Sequence, residues 1–77
     1  MDVRNHISVT ADVCHGQPCF KGTRVMVYLV LELLEAGISQ EDILKDYYPT
    51  LTQQSIQAAL HYAAQLIRDR EFIPSVS

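Results

Sequence analysis

The chain has 77 residues, 48% of them hydrophobic, and carries six Lys/Arg against nine Asp/Glu for a net charge of −3. Such a length fits one domain with a small core, burying only roughly 60% of the surface its unfolded form exposes. The acidic balance argues against a non-specific nucleic-acid binder, whose affinity comes mainly from neutralising phosphates.

The opening MDVRNHISVT has no apolar run that fits a signal peptide. The longest apolar run, Val25 to Leu31, is far short of the ~20 residues that span a bilayer. A soluble, cytoplasmic protein with no membrane association is expected. Two cysteines are too few for a secreted disulfide scaffold, and cytosolic thiols are normally reduced.

In chain order, His6 to Thr10 alternates weakly and is rich in β-branched residues, so a short strand is predicted. Cys19-Phe20 and Thr23-Arg24-Val25 flank Lys21-Gly22. Because Gly22 takes positive φ without a steric penalty, this reads as a tight turn joining two short strands. Residues 1–26 thus form a β-element ahead of a helical core over 27–70 and a short tail over 71–77.

The first helix is predicted from Val27 to Ala36, with Gly37 as its left-handed cap. Nine of the eleven residues from Val25 to Glu35 are apolar, and a helix apolar most of the way round is buried on more than one side. One of those sides suits a second subunit. Ser39 opens the second helix, with Asp42 completing an S-x-x-D capping box, and Pro49 stops it near Tyr48. Thr52 caps a third helix running to about Arg70. Its predicted buried face is Ile56, Ala59, Leu60, Ala63 and Ile67, opposite a polar stripe of Gln54, Gln57, His61, Gln65 and Arg68.

Helices two and three with their short connection make a helix-turn-helix candidate, in which the second helix enters the major groove. Thr52, Gln53, Gln54 and Gln57 would then meet base edges, with His61 one turn further on. Glutamine bonds adenine at two points, and a helix N-terminus offers free N–H groups to phosphate. An ordinary solvated helix face would show the same pattern.

A resemblance extends this reading. "GQPCFKGTRV" and "LLEAGISQEDILKDYYPTLTQQSIQAALHYAA", in that order and spacing, resemble the domain-of-unknown-function 433 family over about residues 7 to 66. The family pattern approximates G-G-K-P-x-I-x-G-T-R, then L-L-x-x-G-x-S-x-E-E-I-L-x-x-Y-P-x-L-T, then I-x-A-A-L-x-Y-A-A. The resemblance implies a mainly α, homeodomain-like three-helix helix-turn-helix domain with a short N-terminal β-hairpin. It also implies an antitoxin of VapB type that represses its own operon and neutralises a PIN-like ribonuclease toxin. It carries over to Gly16, Pro18, Gly22, Thr23 and Arg24 and to the region from Ser39 to Thr52. His15, Gln17 and Cys19 depart from it, replacing a glycine, a lysine and an aliphatic residue. The seven residues after Arg70 are shorter than the toxin-covering segment of many antitoxins.

Cys14, His15 and Cys19 suggest zinc or a catalytic thiol, but neither set is complete. Structural zinc wants four N/S ligands and only three cluster here. A Cys–His pair needs a third group to orient the base, and none is placed to do so. Free Cys19 beside Phe20 reads as a small buried apolar group. No cofactor, metal site or enzymatic activity is therefore expected. Tyr28, Tyr47, Tyr48 and Tyr62 read as core or interface residues with polar tips.

The expected protein is a DNA-binding repressor, homodimeric through helix one and the β-element. Lys21, Arg24 and Lys45 would steady the DNA backbone or contact a partner, with the operator of its own operon as DNA. The alternative is a protein-interaction module that binds a PIN-like ribonuclease or another partner without DNA.

Overall fold

The structure, a computed structural model, describes residues 2–69. It shows a mainly helical small domain with three helices and a two-stranded antiparallel sheet. No helix among the described residues is long and apolar enough to cross a membrane.

The chain enters through a 3-10 turn, Val3–Asn5, capped by Asp2, whose carboxylate accepts the Arg4 N–H at 3.0 Å. Hydrogen bonds from the Arg4 guanidinium and backbone hold the exposed Asp2 carboxyl below the usual carboxylate range. Strand β1 (Ile7–Ser8) then pairs with β2 (Cys19–Phe20), Ile7 opposite Phe20 and Ser8 opposite Cys19. The strand expected over 6–10 is reduced to two residues.

The turn at Lys21-Gly22 is present, with Gly22 at φ +79 and the Thr23 N–H donating to the Phe20 carbonyl at 3.0 Å. The expected strand at Thr23 to Val25 is not. Only an isolated bridge, Cys19 to Met26, closes this side. The cause is local: the Thr23 hydroxyl donates to the Phe20 carbonyl at 2.7 Å and accepts the Val25 N–H at 3.0 Å. That side chain takes a donor the ladder would have used. Replacing Thr23 with valine removes both bonds at constant shape. It is expected to lower the unfolding free energy by about 1–3 kcal/mol, read from a urea midpoint.

Helix α1 (Val27–Glu35) buries Val27 and Val30. It ends where Gly37, at φ +89, lets its own N–H reach the Leu34 carbonyl and the Ile38 N–H reach the Leu33 carbonyl, both at 3.0 Å. This is the paired closure that a left-handed glycine permits. Helix α2 (Gln40–Asp42) begins at Ser39, whose hydroxyl accepts the Asp42 N–H at 3.1 Å. It widens at once into a π turn, Ile43–Tyr47, closed by the Tyr48 N–H on the Ile43 carbonyl at 2.8 Å. Residues five apart point to different faces of an α-helix but nearly align in a π turn. Ile43 is fully buried, and Tyr48 packs against the same core.

Helix α3 (Gln53–Arg68) packs on α1 and on the N-terminal 3-10 turn and β1. The core comprises Ile7, Phe20, Val27, Val30, Ile43, Leu51, Ile56, Ala58 and Ala59. The inward face of α3 is therefore rotated from the expected one. Ile56 and Ala59 are buried and Ala63 half-buried, but Leu60 is 43% and Ile67 62% exposed. Ala58 and Tyr62 take the inward side instead. Because α3 meets three elements, no single apolar stripe describes its contacts. The expected extension to Arg70 and the tail over 71–77 lie outside the described residues.

The two cysteines, expected as free thiols, are joined in a Cys14–Cys19 disulfide. A run of left-handed residues from Cys14 to Gly16 doubles the loop back. It brings the two Cα atoms to 6.5 Å, within reach of such a link. Cys19 is buried, as expected, but as half of a cystine.

Candidate nucleic-acid interface

The N-terminus of α3 is built by reciprocal bonds. The Thr52 hydroxyl accepts the Ser55 N–H at 3.2 Å, and the Ser55 hydroxyl accepts the Thr52 N–H at 3.3 Å. Two of the helix's orphan donors are thereby satisfied. Ser55 was not legible as a partner, since the usual box carries Glu or Gln at that position. Thr52→Ala is expected to cost about 1 kcal/mol, seen as a lower urea midpoint.

This cap engages the Thr52 hydroxyl, so of the residues proposed to read bases the glutamines are the open ones. Gln53, Gln54 and Gln57 are exposed, and His61 is half-buried. Gln53 lines a crevice with Ser39, Gln40, Glu41 and Leu44 of the preceding helix. Gln54 and Gln57 carry no side-chain hydrogen bond among the described residues, leaving their amides free for an outside partner. The first turn of α3 has no carboxylate to repel a phosphate, but the reciprocal cap already engages the Thr52 and Ser55 N–H groups, leaving those of Gln53 and Gln54 as its open donors.

The surrounding charge is less favourable. Between Ser39 and His61 the one cation, Lys45, faces three carboxylates, Glu41, Asp42 and Asp46. Other positive charge comes from the β-element. Lys21 and Arg24 are exposed on the turn after β2, and the Lys21 ammonium lies 3.5 Å from the Arg4 carbonyl. Arg4 and the half-buried His6 stand beside Lys21, whose N–H donates to the His6 carbonyl at 2.8 Å. These two residues were missed because neither falls in a recognisable motif.

A second surface is apolar. Pro18, Val27, Tyr28, Leu31, Tyr62 and Leu66 line a groove between α1 and the C-terminal half of α3. Tyr28 is 45% and Leu66 44% exposed. Tyr47 is also exposed, whereas Tyr48 and Tyr62 pack on the core. Among the described residues, no three His, Cys, Asp or Glu side chains gather as a metal-binding group.

A family model described as "Protein of unknown function (DUF433)" matches residues 7–63. The chain is similar to the crystal structure of a DUF433 member protein from Anabaena variabilis, at 31% sequence identity and a TM-score of 0.75. The match covers 87% of this chain and 65% of that one, so this chain spans just under two thirds of its neighbour's length. No curated protein matches.

Proposed function

The chain belongs to the DUF433 family of proteins of unknown function, and from the polar surface at the start of α3 we propose that it is a DNA-binding repressor of the antitoxin kind. In this reading α2, the connection and α3 act as a homeodomain-like helix-turn-helix, with α3 in the major groove. The observation that carries it is the pair of exposed, unengaged amides, Gln54 and Gln57, one turn apart just inside a firmly capped helix. Amides of this kind suit the adenine edge.

Local acidity makes the phosphate contacts of Lys21, Arg24 and Lys45 necessary. A homodimer brings two sets of these three cations, and neutralising about six phosphates gives a salt slope of roughly −5 on a log–log plot. The test is gel retardation of DNA from the chain's own promoter region across a salt series. A sequence-preferring shift that weakens with that slope is expected; no retardation even at low salt would overturn the proposal.

The apolar groove between α1 and α3 favours a second reading, a protein-interaction module without DNA contact. Its occupant in the repressor reading is a second copy of the chain, and in the module reading a PIN-like ribonuclease. Leu66→Glu is expected to turn a dimer into a monomer in sedimentation equilibrium. Co-purification of a ribonuclease encoded next to this chain, without DNA retardation, would favour the module.

A further inference from the structure

The loop between β1 and β2 holds a combination that neither reading uses. Cys14, His15 and Gly16 have consecutive φ values of 53°, 56° and 79°. Left-handed backbone is disfavoured for any residue with a Cβ, so Cys14 and His15 need a constraint to stay there. The Cys14–Cys19 disulfide supplies it by tying one end of this run to the buried strand β2.

Three further features bear on the role of that link. The cysteines are five positions apart, and closing so short a loop removes little chain entropy, which makes the bond a weak staple for the fold. Access is one-sided: Cys19 is 1% exposed, whereas Cys14 is only half-buried. Both sulfurs also face carbonyl oxygens, Cys14 Sγ at 3.4 Å from that of Arg24 and Cys19 Sγ at 3.8 Å from that of Thr23. As a thiol, Cys19 keeps its acceptor in the turn, and Cys14 has one at hand until the loop relaxes. The site therefore suits both redox states.

We propose that Cys14 and Cys19 form a reversible thiol–disulfide exchange site, entered at Cys14, that switches this loop between a locked left-handed form and a relaxed one. The co-reactant is a small dithiol or a pair of monothiols. Its thiolate attacks Cys14 Sγ, the S–S bond breaks, and Cys19 leaves as a thiolate that takes a proton from water. A second thiol then displaces Cys14 from the mixed disulfide. Two electrons pass to the protein and the reductant departs as its own disulfide. Freed of the link, Cys14 and His15 return to negative φ while β2 stays paired.

The test uses the full chain, labelled with 15N, equilibrated in dithiothreitol or in mixtures of reduced and oxidised glutathione. Intact mass should rise by two hydrogens on reduction. Amide signals of Cys14 to Gln17 should move while those of Ile43 and Ile56 hold still, and oxidised glutathione should restore the first spectrum. Cys14→Ser should give the reduced-like loop spectrum and ignore oxidant. The proposal is overturned if the pair stays reduced in oxidised glutathione or resists millimolar dithiothreitol. It is equally overturned if the two states have the same loop spectrum. Because the readout is the loop itself, a chain with no affinity for DNA would show the switch equally, and failure here leaves the repressor proposal standing.

Discussion

Phe20→Ala is expected to destabilise this domain more than any other substitution considered for it. Phe20 is 1% exposed and, among the described residues, the largest fully buried side chain. It pairs across the sheet with Ile7, and both belong to the core that holds Val27 and Val30 of α1 and Ile56 of α3. Truncating a buried phenylalanine costs about 3–5 kcal/mol through lost transfer energy and the cavity left behind. A domain of this length has roughly 4–12 kcal/mol in all, so the loss runs from about a quarter of that stability to the whole of it. Urea denaturation followed by far-ultraviolet circular dichroism checks this, and Phe20→Leu, which keeps most of the volume, should lose clearly less. A loss below about 1 kcal/mol for the alanine variant would mean that the β-element is not part of the core.

That dependence on one residue of a two-residue strand explains what could be read from the sequence and what could not. Helix boundaries were legible because their signals are local: Ser39 and Thr52 cap, Gly37 closes α1, and Pro49 stops the second helix. The turn at Lys21-Gly22 was legible for the same reason. Strand pairing was not, because it depends on which neighbour offers free backbone groups. The Thr23 hydroxyl takes the Val25 N–H, so that side of β2 keeps only a bridge while the other side pairs with β1. The rotation of α3 depended on contacts with three separate elements, so a one-stripe pattern placed Leu60 and Ile67 inward when both are exposed. The disulfide was missed because its geometry comes from left-handed φ at Cys14 and His15, conformations that residue type disfavours. At the candidate interface, exposure of Gln54 and Gln57 was predictable from the polar stripe. Use of the Thr52 hydroxyl by Ser55 was not.

The amides left open by that arrangement lead to the second large effect, on binding rather than stability. Gln54→Ala with Gln57→Ala removes two exposed side chains and replaces them with the residue of highest helix propensity, so the fold should be as stable as before or slightly more so. Any loss of binding then belongs to the interface. A bidentate glutamine–adenine pair is worth about 1–3 kcal/mol of discrimination, so each substitution should lower the preference for promoter over random DNA by roughly 5- to 150-fold. Both side chains are neutral, and the slope of affinity against salt should stay unchanged. Lys45→Ala should do the opposite: it weakens both DNAs alike and, with two copies in the dimer, reduces the slope by about 2. Retardation titrations of the two DNAs at several salt concentrations separate these patterns. If the double glutamine variant keeps the parent's preference while Lys45→Ala still weakens binding, the chain touches DNA without α3 reading it. Specificity would then have to come from another face or from the shape of the DNA.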